Sequence, residues 1–353
     1  MLGVKTVKVY KETIDCTAGQ TTDETMPPRI LIFGTGSIGA VYAYILSKAV
    51  KASNIFTVCR SNYAAASQNG FTINSNLFGN NLNVRPQVVS SVAEAVKQNG
   101  NPFDYILICS KSIKTTPSAA ELVAPAVGPH TTIALIQNGI GIEAEYSTLF
   151  PENPLLSCVV YLPATQTSPA VISHKEVERL HLGTFPADAS SQHKAAAESF
   201  VSLLHTANAN FKTHDDVQFE RWSKLLVNAS WNPICALSRS RDAEFLAASP
   251  QSLEYVRGVM LEIAAIAQAM GYATIDAKLV DLQIDRARVR ALPGVEPSML
   301  ADAKAERNME VDAIVGNALA MAKDKGIQTP LLTSLYVLLR SLDDSFTKKR
   351  QAL

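Results

Sequence analysis

Three groups of residues in this chain have types and spacing suited to chemistry. The first is the turn Gly34-Thr35-Gly36-Ser37-Ile38-Gly39. It follows a short apolar run, Ile30 to Phe33, and leads into a helical pattern carried by Ile38, Val41, Tyr42, Ile45 and Leu46. In that strand–turn–helix context, G-x-G-x-x-G is a dinucleotide-binding fingerprint. Gly34 allows the tight turn, Gly36 leaves room for a pyrophosphate, and Gly39 lets the helix approach the strand. The helix N-terminus then offers N–H donors and a positive dipole end to the anion. The second group lies in RWSKLLVNASWNP, residues 221–233. Lys224, Asn228 and Asn232 are spaced four and four, so they share one helix face, closed by Pro233. Trp222, Leu225, Leu226, Ala229 and Ile234 supply an apolar face for packing. A lysine flanked by two amides can act as a general acid to a carbonyl under reduction, if its ammonium stays protonated until needed. A solvated helix face explains the same spacing.

The third group is dispersed. Lys111 in ICSKS and Asn138 in IQNGIG each follow an apolar strand-like run. Ligands of open α/β sheets bind outside the carboxyl ends of the strands. Asn138 can serve a nucleotide ribose or a substrate there, or simply make an Asn-Gly turn. Ser298 opens PSMLADAKAERNMEVDAIVGNALAMA, which reads as one long helix, and hydroxyls cap helix N-termini. Glu310 lies mid-pattern between Met309 and Val311, either a partner for a lysine or a solvent-facing acid.

The elements that must position these groups fall into two blocks. Up to about residue 190 strands alternate with helical segments, as in an α/β domain with a mainly parallel sheet. Three further strand-like runs, LLSCVVYLPATQT, AVISHK and ERLHLGTF, add an antiparallel part. From Asp216 the apolar period is near 3.6 over 217–238, 249–271, 275–288, 298–324 and 330–343. The expected layout is an extension over 1–26, a Rossmann-type nucleotide domain over 27–214, an all-helical domain over 215–347 and a solvated tail over 348–353. The second strand reads to Arg60, where NAD enzymes usually place an acid for the ribose hydroxyls. A guanidinium there suits a 2′-phosphate, bidentate and always charged, so NADPH is favoured over NADH. Ser61 and Asn62 are additional donors to that phosphate.

Composition excludes several classes. Lys plus Arg and Asp plus Glu number 32 each, which leaves no electrostatic footprint for nucleic acid or an anionic membrane. No apolar run approaches the roughly 20 residues that span a bilayer. Five scattered cysteines without a C-x-x-C pair suit buried free thiols in a reducing compartment, and a cytoplasmic location is expected. Six histidines show no H-x-x-x-H spacing, so no metal is expected.

Taken in order, GTGSIG, the Ser-Lys at 110–111, QNGIG, RWSKLLVNASWNP and PSML with its later Glu310 resemble the ketopantoate reductases, from about residue 28 to 345. K-L-x-x-N-x-x-x-N and S-M-L with the later glutamate are specific to that family; the glycine turn alone is not. The resemblance implies an NADPH-dependent reduction of a small 2-oxo acid in a cleft that closes between two domains. It implies Lys224 as the acid that protonates the alkoxide, with Glu310 assisting. Asn138 would contact both cofactor and substrate, and Lys111 would lie near the cofactor. Asn228, Asn232 and Ser298 would hold the substrate, and Arg60 the 2′-phosphate. A homodimer is compatible with all of this. One departure is Val295, where the family often has an asparagine three residues before the serine. Losing a polar contact in a hydrogen-bonding site changes specificity. A dehydrogenase for another 2-oxo acid is therefore an alternative, and a non-catalytic nucleotide sensor a more remote one. Phosphogluconate-type dehydrogenases would need cations for a substrate phosphate, which DRARVRAL at 285–292 could supply if it is not a solvated face.

Overall fold

The structure is a computed structural model that describes residues 26–351. The expectations for residues 1–25, including Cys16, and for 352–353 lie outside the described residues. The strands are β1 (Ile30–Phe33), β2 (Ile55–Val58), β3 (Phe71–Ser75), β4 (Gly79–Val84), β5 (Gln87–Val89) and β6 (Tyr105–Ile108). They continue with β7 (Thr132–Ile136), β8 (Leu155–Tyr161), β9 (Ala164–Ser168), β10 (Val171–His174), β11 (Arg179–Thr184) and β12 (Phe211–Thr213). The main sheet runs β12-β11-β8-β7-β6-β1-β2-β5 and is parallel except where β11 meets β8. β1, β2 and β7 are buried along nearly their whole length, as their continuous apolar runs require in a parallel sheet covered on both faces. Ile30 and Ile32 point to a core with Tyr42, Leu46 and Phe200, whereas Leu31 points to one with Phe56, Phe103 and Val123. The expected fold class, a Rossmann-type mainly parallel sheet followed by a helical part, is what the chain adopts.

A second sheet, β4-β3-β10-β9, has no counterpart in the sequence reading of β3 and β4. Their sequences, FTINS and GNNLNV, are rich in asparagine and turn-like, and pairing makes strands of them: β3 with β10, and β4 with β3. The run LLSCVVYLPATQT, read as one strand, splits into β8 of the main sheet and β9 of this one, and AVISHK supplies β10 here rather than extending the main sheet.

The helical part is built from Gln218–Ser238, Asp242–Ala248, Ser252–Ala269, Ala277–Arg288, Ser298–Lys304, Asn317–Asp324 and Pro330–Gln351. Its core joins Trp222, Leu226, Met260, Ile263, Leu300 and Leu339, and it takes in Ile140 from the loop after β7. Three boundaries differ from expectation. Pro233 does not stop its helix, which runs through to Ser238; the proline is buried inside it. The last helix continues to Gln351, and Lys349 pairs with Glu306 at 2.6 Å, so the residues read as a tail are mostly helical. The helix expected over 298–324 ends at Lys304, and Glu306 takes a left-handed φ of +50°. Side chains of the last helix capture the segment that follows. Asp343 accepts from the Met309 N–H at 2.8 Å, and Thr347 accepts from the Asn308 amide at 2.9 Å. A wide helical turn over Asp312–Gly316 then starts the next helix. Glu310 therefore sits at the end of a non-helical segment, aimed by it, rather than mid-helix.

Candidate active site

The glycine turn joins β1 to the helix Ser37–Leu46. Gly34 has φ +90°, and a Cβ there would lie 2.3 Å from the Ser110 backbone nitrogen. A Cβ on Gly39 would lie 2.6 Å from the Gly34 carbonyl oxygen. These two glycines are demanded by packing. Gly36 is different: it is exposed, and a Cβ there would meet nothing within 4 Å. No side chain caps the helix that follows it, so its first-turn N–H groups are not taken up by a capping residue. Thr35 is buried and donates to the Val58 carbonyl at 3.1 Å, tying the turn to β2. Arg60 lies just past β2, which ends at Val58 rather than at Arg60 itself. Its guanidinium is exposed and has no hydrogen-bond partner among the described residues. Asn62 does not share that role. It is buried, donates to the Thr35 carbonyl at 2.9 Å and exchanges hydrogen bonds with Gln166.

Beyond the carboxyl end of β7, Asn138 meets the helix Gln218–Ser238. The Lys224 Nζ donates to Asn138 Oδ1 at 2.9 Å and to the Val160 carbonyl. It also lies 5.0 Å from the centre of the Tyr161 ring, on its face. Asn138 in turn donates to Glu310 Oε2 at 3.3 Å, and the Ser112 N–H donates to Glu310 Oε1 at 2.9 Å. Lysine, amide and carboxylate thus form one chain across the two halves of the molecule. Burial, reinforced by the Arg221 charge, lowers the Lys224 pKa to about 8; the Glu310 and Glu220 charges act the other way. Burial also raises Glu310 above the usual carboxylate range, against its bonds from Ser112 and Asn138.

The remaining candidates divide. Asn228 lines the same small pocket as Gln137, Asn138, Gly139, Val159, Arg221, Lys224 and Leu225. The pocket is partly open, and the space in it that a water molecule's centre can occupy is about 10 Å³, room for one water-sized molecule. Asn232 is 4% exposed, and its amide nitrogen has no partner among the described residues. It does not line the pocket. Lys111 holds Asp302 at 2.7 Å and the Asn308 carbonyl at 3.2 Å, clamping the segment that carries Glu310. Ser298 is exposed and makes no hydrogen bond to this group. It occupies the first helical position after Pro297 and does not act as the cap.

Sequence reasoning passed over Arg221. It is 3% exposed, pairs with Glu143 at 3.0 Å and donates to the carbonyls of Gln137 (3.1 Å) and Gly139 (2.8 Å), which flank Asn138. It also donates to Ser157 Oγ at 2.7 Å. The available signal was its place three residues before Lys224, on the same helix face as Lys224 and Asn228.

This geometry can be set beside known proteins. The family model described as ketopantoate reductase PanE/ApbA matches residues 30–187, and the model of that family's C terminal region matches residues 216–343. The chain belongs to the ketopantoate reductase family. Members are nicotinamide-dependent oxidoreductases acting on CH–OH groups. A Saccharomyces cerevisiae protein described as uncharacterised is 32% identical over 88% of this chain and 92% of its own. A 2-dehydropantoate 2-reductase of Nostoc sp. is 27% identical over 88% of this chain and 94% of its own. The crystal structure of 2-dehydropantoate 2-reductase from Methylococcus capsulatus superposes with a TM-score of 0.76 at 31% identity, covering 90% and 97% of the two chains. A D-mandelate dehydrogenase bound to NADH and anilino(oxo)acetate shares the fold, with a TM-score of 0.77 at 20% identity over 90% and 99%. Among the described residues, no helix is long and apolar enough to cross a membrane.

Proposed function

We propose that this protein reduces 2-dehydropantoate (ketopantoate) to D-pantoate with NADPH, in the cleft between a nucleotide half, 27–214, and a helical half, 215–347. The observation that carries the reading is the Lys224–Asn138–Glu310 chain beyond the carboxyl end of β7. The glycine turn fits a dinucleotide: Gly36 leaves its space open, and the uncapped helix start supplies N–H donors. Arg60, exposed and unengaged among the described residues, fits a 2′-phosphate. When bound, the reduced nicotinamide supplies the hydride.

The chain's own residues do the rest. Lys224 holds its ammonium on two oxygen acceptors and delivers a proton to the alkoxide as it forms. With a pKa near 8 it is charged at neutral pH yet close enough to its titration point to give the proton up. A substrate needs more than the present 10 Å³, so Lys224 exchanges the Val160 carbonyl for the substrate oxygen as the pocket opens. Asn138 stays on the lysine and offers its remaining polar atoms to the ligand. Glu310 orients Asn138 and balances the lysine charge. Asn228 lines the pocket, and Asn232 has an unused amide; both are assigned to substrate hydroxyl or carbonyl groups, with Ser298 assigned to its carboxylate. The free buried thiols Cys59, Cys158 and Cys235 suit a cytoplasmic enzyme.

Val295 supports a second reading, another 2-oxo acid with an apolar side chain. It is 50% exposed, next to the Ser298 helix, and offers a substrate hydroxyl nothing to bond. Purified chain assayed by NADPH oxidation against a panel of 2-oxo acids separates the two. Ketopantoate as the best substrate is the expected result. A larger kcat/KM for an apolar 2-oxo acid selects the second reading, and no oxidation with any member sinks both.

A further inference from the structure

Outside the site just described, three ligand-type side chains converge from three separate elements. His181 comes from β11, His214 from the turn after β12, and Glu220 from the first turn of the helix that carries Lys224. His181 Nδ1 lies 2.8 Å from His214 Nε2 and 3.8 Å from Glu220 Oε2. One ligand atom from each residue lies within 4.8 Å of the others. Two ligands at about 2.0–2.1 Å on a tetrahedral zinc ion stand about 3.3 Å apart. The two measured separations straddle that figure and the third, His214 to Glu220, lies within 4.8 Å, so side-chain shifts of at most about 1.5 Å would complete a three-ligand face with one position left open. The support expected behind such ligands is also present. The Tyr161 hydroxyl donates to Glu220 Oε1 at 2.9 Å and turns the other carboxylate oxygen toward the histidines. Spacing along the chain could not reveal the trio, because the histidines are 33 residues apart.

We propose that His181, His214 and Glu220 form a binding site for a divalent transition-metal ion of the zinc class. The ring that donates in the present His–His contact moves its proton to its other nitrogen, so both imidazoles bind neutral and no net proton is released. Burial already holds both rings on the neutral side, which is the ligating form. Asp215 and Asp216 add negative charge near the site, while Arg179 and Lys212 oppose it. The ion would pin the sheet edge to the helix one turn before Lys224. The site stands on its own geometry and does not depend on which 2-oxo acid is reduced.

The test is titration of the full-length, chelator-treated, tag-free chain with Co²⁺ followed by Zn²⁺, read by visible absorption. One equivalent of Co²⁺ should give the intense bands of four- or five-coordinate cobalt, and one equivalent of Zn²⁺ should remove them. His181→Gln and His214→Asn should abolish the bands. Tyr161→Phe should weaken binding about tenfold, as loss of a supporting hydrogen bond does. Absence of a saturable band overturns the proposal, as does a band that survives in both histidine variants. If the variants misfold, the wild-type chain still decides. Zn²⁺ should protect His181 and His214 from diethylpyrocarbonate, mapped by mass spectrometry, and equal modification with and without Zn²⁺ overturns it.

Discussion

The two parts of the proposed site, the glycine turn and the lysine network, are built in opposite ways. At the glycine turn almost nothing is engaged: Gly36 faces open space, the helix start is uncapped, and Arg60 is exposed. At the lysine every charged atom already has a partner, and the free volume is about one water molecule. The first is a surface shaped by the backbone, cheap to keep empty, whose task is to receive an anion. The second is a desolvated network that is stable only because its members satisfy one another. Changes at the first end should therefore alter binding, and changes at the second should alter chemistry or folding.

Substitutions can break that contrast, beginning with the largest effect. Lys224→Ala should lower kcat/KM by about 10²–10⁴ with little change in KM for NADPH, the usual range for a general acid; steady-state kinetics with normal turnover would remove Lys224 from its role. Arg221→Met strands Glu143 as an unpaired buried charge and should cost about 3–5 kcal/mol of stability, measured by urea unfolding. Arg60→Ala should raise KM for NADPH about 10–100-fold and leave NADH unchanged, as loss of a charged hydrogen bond worth about 1.5–3 kcal/mol requires; equal effects on both cofactors would move the 2′-phosphate elsewhere. Gly36→Ala should weaken NADPH binding by about 1–3 kcal/mol, through crowding of the pyrophosphate, with no fall in Tm. Gly34→Ala sharpens the same point, because its left-handed φ and the nearby Ser110 backbone make it a folding defect instead. The smallest effect is the pH profile. Lys224 must be protonated to act, and its pKa is lowered to about 8. Reduction should therefore hold steady below pH 8 and fall about tenfold per unit above it. A flat profile through that range would count against the lysine as proton donor.

The parts of this molecule that sequence made legible are those governed by local rules. Ile30 to Gly39 could be read because strand, turn and helix each need particular residues at adjacent positions. The Lys224 stripe could be read as a helix face because period alone defines it. What could not be read depends on distant partners. FTINS becomes a strand against β10, about a hundred residues on, and GNNLNV then pairs with FTINS. Glu310 leaves its helix only because Asp343 and Thr347, more than thirty residues on, hold the preceding segment. Arg221 looked like any helix arginine until five groups from the sheet side closed around it. Ser298 shows the reverse: its expected role as a helix cap is taken by the position of Pro297, and its link to the site is not visible among its contacts.

Arg221 has a mechanical consequence. Its guanidinium grips the carbonyls on either side of Asn138, and its own helix carries Lys224 one turn further on. If that helix swings, the amide swings with it. Lysine and asparagine thus travel as a single jaw. The opposing jaw is the segment leading to Glu310, tied to the sheet side by Lys111, which holds Asp302 and the Asn308 carbonyl, by the Ser112 N–H and by one long bond from Asn138. Movement of that segment would part Glu310 from Asn138 while leaving the lysine and its amide together.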